Sequence, residues 1–208
     1  YPLRKITYGW TRHTMWTCHE PPRVEVSPGF LLLLGILFWL DEGVGLLPWG
    51  LLACALHELG HIAAAAALKG AVRELSLTAV GAELRIDYNV PLTYGQDSLV
   101  ALAGPAANLL FGTLALYLHW ELAAAVSLTI GGFNLLPIPP LDGGRVLYGL
   151  LALHLDTDWA ERLTTALSGC LLGVLAGVGA MAAAHYGNAT LLLTALWMLA
   201  GVLRREGG

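Results

Sequence analysis

One apolar stretch holds the polar residues around which the rest of the chain can be interpreted: residues 51–68 read LLACALHELGHIAAAAAL. Within it His57-Glu58-Leu59-Gly60-His61 follows the pattern H-E-x-x-H. On a helix, two histidines four residues apart lie on one face, so both imidazoles can bind one metal ion. Glu58 can reach a water at that metal and act as a general base. Because ionisable side chains are costly inside an apolar span, the group indicates a functional site.

The composition of the whole chain indicates an integral membrane protein. Hydrophobic residues make up 56% of the 208 residues and charged residues 12%. A typical soluble domain has about twice that charged fraction, roughly 25%. This argues against a soluble enzyme and a disordered chain, and the net charge of −4 argues against a nucleic-acid-binding protein. The length allows one domain, or two at most.

Six apolar segments predict transmembrane helices, which need about 20 residues each. They run from 29 to 40, 43 to 68, about 98 to 118, about 122 to 141, about 164 to 185 and about 189 to 203. The first is short for a span. We therefore predict an all-α polytopic membrane protein with an N-terminal segment (1–28), a transmembrane domain (29–203) and a short tail (204–208).

The positive charges predict the orientation of this arrangement. With six spans, all eleven lysines and arginines fall on the side of the membrane that holds both termini. Lysine and arginine concentrate on the cytoplasmic side of membrane proteins. We therefore expect both termini in the cytoplasm.

The cytoplasmic loop between the second and third spans predicts a β-hairpin at residues 72–88. Apolar residues alternate there with polar ones on both sides of a turn near residue 80. Two interpretations stay open: a surface hairpin at the headgroups, or an edge strand that accepts an extended peptide, with Leu77 and Ile86 as candidate edge positions. Residues 23–27 alternate in the same way and predict a further short strand.

A catalytic zinc site normally has three protein ligands, so a third must come from elsewhere in the chain. Asp142 follows three prolines in the segment NLLPIPPLDGGR, residues 134–145, at the predicted depth of His57 and His61. Two roles stay open for it: a metal ligand, or the N-cap of the next helix. Five other histidines are less suitable, with His154 the best placed of them; the others are His13, His19, His119 and His185.

Two functions that would also place a metal site inside a membrane fit the sequence less well than a site with His57, His61 and Asp142 does. Some H-E-x-x-H membrane proteases use a glutamate as third ligand, but Glu121 and Glu161 are poorly placed for this. A metal transporter usually carries ionisable residues on several spans along both halves of a path. Here they collect at one depth.

The motifs resemble those of a known family. The H-E-x-x-H span, taken with Asn134, Pro137 and Leu141-Asp142-Gly143, resembles the site-2 proteases, which are intramembrane zinc metalloproteases. The similarity is greatest to the branch of stage IV sporulation protein FB, whose start resembles residues 24–28. Residues 103–108, AGPAAN, resemble the Gly-Pro…Asn motif of the family's third core span.

The resemblance implies that His57, His61 and Asp142 bind one zinc ion and that Glu58 activates the water. It also implies that Asn134 and Asn108 orient the substrate or the active-site loop. The expected function is regulated intramembrane proteolysis of a transmembrane or membrane-associated protein, in a bacterial or archaeal cytoplasmic membrane. Nucleic acid is not an expected partner.

Overall fold

A computed structural model describes residues 23–41, 43–78, 81–88, 90–139 and 141–206. The predicted N-terminal segment up to residue 22, with His13 and His19, lies outside the described residues. In chain order the described residues form β1 (Arg23–Val26), α1 (Pro28–Leu40), α2 (Leu46–Ala67), β2 (Gly70–Thr78), β3 (Gly81–Tyr88), α3 (Tyr94–Tyr117), α4 (Glu121–Asn134), α5 (Asp142–Ala152), α6 (Thr157–Tyr186) and α7 (Thr190–Glu206).

Helices dominate the described chain, as the composition predicted. Three of them, α2, α3 and α6, are long and apolar enough to cross a membrane. The other predicted segments also contain helices, but α1, α4 and α7 have only 13, 14 and 17 residues. Six spans therefore stay a prediction.

The end of α4 corrects the predicted fourth segment, which extended to residue 141. The helix stops at Asn134. Pro137 and Pro139 have no backbone N–H and cannot continue the hydrogen-bond ladder of a helix. The chain then turns at the level of Asp142 and begins α5 there.

The three strands form one sheet in the order β1-β2-β3. The predicted hairpin is confirmed, because β2 and β3 pair antiparallel and Leu75 lies opposite Leu84. β1 pairs parallel with β2, which confirms the predicted short strand. Leu77 pairs with Val26 on one side and Ala82 on the other, so β2 is the central strand. Among the described strands, β3 therefore keeps a free edge on the side away from β2.

Small residues bring α2, α3 and α4 close together. A methyl group on Gly60 in α2 would overlap the backbone carbonyl of Ala103 in α3. Gly112 in α3 lies in the same way against Leu128 in α4. Close approach through small residues is typical of helix packing in membranes, where lipid supplies no hydrophobic drive between helices. This packing holds the H-E-x-x-H helix against α3.

Candidate active site

Three side chains from two helices converge on one point. His57 and His61 lie on the same face of α2, and Asp142 is the first residue of α5. His57 Nε2 lies 3.0 Å from Asp142 Oδ2 and 3.2 Å from His61 Nε2. His61 Nε2 lies 3.3 Å from the same carboxylate oxygen. All three side chains are buried.

The triangle of ligand atoms fits one zinc ion. Tetrahedral zinc with bonds of about 2.0–2.1 Å holds its ligand atoms about 3.3 Å apart. The three measured distances are close to this value. Two imidazole nitrogens and one carboxylate oxygen are suitable zinc donors. No fourth histidine, cysteine or acidic residue of the described chain joins the group, so one coordination position is left for water or substrate.

Residues of helix α3 contact both imidazoles at their Nδ1 atoms. His61 Nδ1 lies 2.8 Å from the carbonyl oxygen of Val100, so Nδ1–H donates to it and Nε2 keeps its lone pair for the metal. Asn108 lies beside Nδ1 of His57, at 3.4 Å. Gly104 allows α3 to lie this close to the two histidines, because a methyl group at this position would overlap His61 and lie 2.9 Å from His57 Nε2.

The position of Asp142 excludes one of the two roles considered for it. Leu141, not Asp142, is the N-cap of α5, and the carboxylate makes no capping hydrogen bond. The side chain turns instead toward the two histidines. The N-cap interpretation is therefore wrong. A carboxylate in the first turn of a helix is still favoured by the helix dipole.

The other candidate ligands lie elsewhere. His154 follows the end of α5 and is exposed, and His119 and His185 are exposed at the far ends of α3 and α6. None of them belongs to the metal-binding group of the described chain, and neither do Glu121 and Glu161.

The group opens on a cavity of about 330 Å³. Glu58 lines this cavity beside the two histidines, and Asn134 lines it from the end of α4. One wall is the face of β3 on which alternate residues lie: Ala82, Leu84, Ile86 and Tyr88. Ile86 therefore lies on the edge strand and on the cavity wall, whereas Leu77 lies in the central strand.

A charged pair that sequence reasoning missed forms the polar end of the cavity. Arg145 Nη2 donates to Asp97 Oδ1 over 2.7 Å and joins α5 to α3. Arg145 Nη1 also lies 3.9 Å from Asp142 Oδ1.

Burial raises the pKa of the Tyr88 phenol and the nearby Asp97 carboxylate raises it further, while Arg145 lowers it by a smaller amount. Tyr88 therefore stays protonated and can donate a hydrogen bond near the cavity. For the Arg145–Asp97 pair, the one signal in the sequence was the arginine three residues after Asp142.

Comparison with known proteins agrees with this arrangement. The sequence pattern of peptidase family M50 matches residues 115–174, which include Asp142. The chain is 32% identical over 161 residues to stage IV sporulation protein FB of Bacillus subtilis, a match that covers 72% of this chain and 56% of that protein. A zinc metalloprotease of Methanocaldococcus jannaschii is 26% identical over 147 residues, covering 62% of this chain and 42% of that protein.

The fold also matches a solved structure. The site-2 protease from Methanocaldococcus jannaschii superposes with a TM-score of 0.62 at 22% identity, covering 87% of this chain and 89% of that chain. The chain spans about half the length of the curated relatives named above. The chain is therefore similar in sequence to proteins of peptidase family M50, and its fold matches that of a site-2 protease.

Proposed function

We propose that the chain is an intramembrane zinc metalloprotease that cleaves membrane-embedded or membrane-adjacent protein substrates. One observation carries the proposal: two histidines of α2, a helix long and apolar enough to cross a membrane, and Asp142 of α5 bring three possible ligand atoms together beside Glu58. Few functions other than metal-assisted hydrolysis place a carboxylate, an open coordination position and a cavity at one point.

The residues of the site divide the chemistry among them. His57, His61 and Asp142 hold the metal, and zinc bound there supplies a Lewis acid and a water of lowered pKa. The Glu58 carboxylate accepts the proton of the attacking water and passes it to the leaving amine nitrogen. Asn134, on the cavity wall, orients the substrate through its amide.

The free edge of β3 suits an unwound substrate. The scissile carbonyls of a transmembrane helix are already hydrogen-bonded, so the substrate must become extended before cleavage. An edge strand offers unpaired N–H and C=O groups to an extended peptide. Side chains of β3 line the same cavity as Glu58, which supports the proposal that an added strand binds beside the metal site.

We infer six spans with both termini in the cytoplasm, and the helix ends support a common membrane interface on the side opposite the termini. Exposed aromatic residues collect at the ends assigned to the opposite side: Trp39 lies next to the last residue of α1, Tyr117 ends α3, Trp120 precedes α4 and Tyr186 ends α6. Tryptophan and tyrosine are enriched at membrane interfaces. Trp120 also stacks on Trp49 at the start of α2, with ring centroids 5.9 Å apart, which places these helix ends at one level.

Co-expression with candidate single-span substrates tests the proposal. Glu58→Gln keeps the shape of the side chain but cannot accept a proton. We expect this variant to keep zinc at the wild-type ratio and to lose at least about 100-fold in cleavage rate. Loss of zinc together with activity would make Glu58 a ligand. Zinc flux in proteoliposomes without peptide cleavage would favour a transporter instead.

A further inference from the structure

Asn108 has a buried amide oxygen that lacks a partner. The residue lies in the middle of α3 with no exposed surface. No described residue donates a hydrogen bond to its Oδ1. Its amide nitrogen lies 3.4 Å from Nδ1 of His57. Buried polar atoms are nearly always hydrogen-bonded, so an unpaired oxygen beside a metal ligand requires an explanation.

The position of the hydrogen on the neutral His57 imidazole supplies this explanation. Nε2 of His57 faces His61 and Asp142, so it must carry the lone pair that binds the metal. The hydrogen of the neutral imidazole then lies on Nδ1, which faces Asn108. Two donors would oppose each other across that contact. A half-turn of the carboxamide exchanges its two ends with little change of shape, and places the oxygen opposite Nδ1–H.

Helix α4 packs against the backbone and the Cβ atom of Asn108. Ser127 in α4 donates its hydroxyl hydrogen to the backbone carbonyl of Asn108 over 2.9 Å. Gly131, one turn further along α4, lies so close that an added methyl would come within 3.0 Å of Asn108 Cβ. The small residues of α4 thus leave room for Asn108 and restrict its direction.

We propose that Asn108 is a positioning residue whose amide oxygen accepts the Nδ1 hydrogen of His57. This contact selects the tautomer that leaves Nε2 free to bind metal and fixes the plane of the ring. Val100 has the same function for His61 through its carbonyl oxygen. Both imidazoles are therefore oriented by α3, although both belong to α2. The inference rests on the proposed metal site.

Zinc affinity tests this role directly. The purified full-length chain is titrated with zinc in competition with a chromophoric chelator. Loss of an outer hydrogen-bond partner typically weakens metal binding about 10- to 100-fold. We expect that loss in Asn108→Ala and Asn108→Ser, since neither side chain can reach Nδ1. Asn108→Asp has the same shape and a stronger acceptor, so its affinity should stay within about threefold of wild type or rise.

Two further measurements separate positioning from structural support. Ser127→Ala removes a buried hydrogen bond to the backbone carbonyl of Asn108 but leaves the side-chain carboxamide of Asn108 in place. It should therefore lower the thermal midpoint of the metal-free protein but leave zinc affinity within about threefold of wild type. The visible spectrum of cobalt-loaded protein should change in Asn108→Ala or Asn108→Ser and be restored in Asn108→Asp.

The outcomes are decisive in either direction. Wild-type zinc affinity in Asn108→Ala or Asn108→Ser, or an equal loss in Asn108→Asp, overturns the inference. A wild-type chain that binds no zinc would instead refute the proposed function. Wild-type protein that binds zinc and cleaves, with unaltered affinity in the variants, refutes only the role of Asn108.

Discussion

Ser168, in the middle of α6, donates its hydroxyl hydrogen to the backbone carbonyl of Pro137 over a distance of 2.7 Å. That carbonyl belongs to the segment between α4 and α5, which leads directly to Asp142. The same hydroxyl lies 2.6 Å from the carbonyl of Thr164 in its own helix, so the two oxygens share one hydrogen. Through this contact α6 holds the segment that leads to Asp142, the proposed third metal ligand.

Removing the hydroxyl should loosen that segment. In Ser168→Ala the partly buried carbonyl of Pro137 loses this hydrogen bond, at a cost of about 0.5–1.5 kcal/mol. We expect a lower thermal midpoint in detergent and weaker zinc binding. Gly169→Ala is the matched control, because a methyl group there meets open space and should leave both quantities unchanged or raise the midpoint. An unaltered midpoint and zinc affinity in Ser168→Ala would show that the contact is dispensable.

Gly104 should be irreplaceable by alanine. In a helix interior, alanine normally stabilises by about 0.5–1 kcal/mol over glycine. At this position the methyl would overlap His61 and press on His57, and overpacking costs about 1–3 kcal/mol. We expect zinc affinity to fall at least about 10-fold, or about 1.4 kcal/mol. Gly95→Ala, in the same helix but with open space around it, should bind zinc like wild type.

The free edge of β3 predicts a directional effect of proline. Of two neighbouring residues in an antiparallel strand, one points its N–H toward the partner strand and the other away from it. Arg85→Pro and Ile86→Pro therefore differ: one removes a ladder hydrogen bond to β2, and the other removes a donor from the free edge. The edge variant should keep zinc and its thermal midpoint, yet cleave a helical membrane substrate at least about 10-fold more slowly.

Alanine controls at both positions separate lost backbone pairing from lost side-chain packing. Each should slow cleavage much less than its proline counterpart, and the exposed ion pair of Arg85 with Glu74 contributes little. A short extended peptide should be affected less than the helical substrate. Leu77→Pro disrupts the central strand and should lower the thermal midpoint. If both β3 proline variants stay folded and cleave the helical substrate at the wild-type rate, the hairpin has no part in substrate binding.

Cysteine labelling should show which helix ends share a side of the membrane. In a chain without its native cysteines, Cys18, Cys54 and Cys170, single cysteines at residues 95 and 158 should react only with reagent that reaches the cytoplasm. Positions 43 and 187 suit the opposite side by sequence, but both are glycines with positive φ, where a side chain is strained. We therefore place these two cysteines at Val44 and Asn188, where they should react only with reagent on the opposite side of the membrane. Reaction of both sets from one side would contradict six spans.

The third ligand should be tested by paired substitutions. Asp142→Ala removes one of the three proposed ligands and should lose both zinc and cleavage. His154→Ala should keep both, since His154 lies outside the metal-binding group. Stripping zinc from the wild type with a chelator should lower the thermal midpoint, and adding zinc back should restore it, because metal binds only the folded site. Full zinc content in Asp142→Ala would exclude it as a ligand.

Much of the site was predictable because its signals are local. Two histidines at i and i+4 share a helical face in any amphipathic or apolar helix, and Glu58 between them follows from the same geometry. The alternation at residues 72–88 predicted the hairpin, and the low charge content predicted a membrane protein. The prolines after Asn134 predicted a break, although the helix ends earlier than the apolar segment does.

The amino-acid sequence alone determined that His57, Glu58 and His61 share one apolar helix and that a proline-rich break precedes Asp142. Only the tertiary structure decided that Asp142 lies against the two histidines and is not the cap of α5, that β3 has the free edge, and that Asn108 and Ser168 face their partners. His57 and Asp142 are 85 residues apart, and their 3.0 Å contact depends on how α2, α3 and α5 pack. Local periodicity sets which face of a helix is polar, but the packing of distant helices sets which residue that face meets.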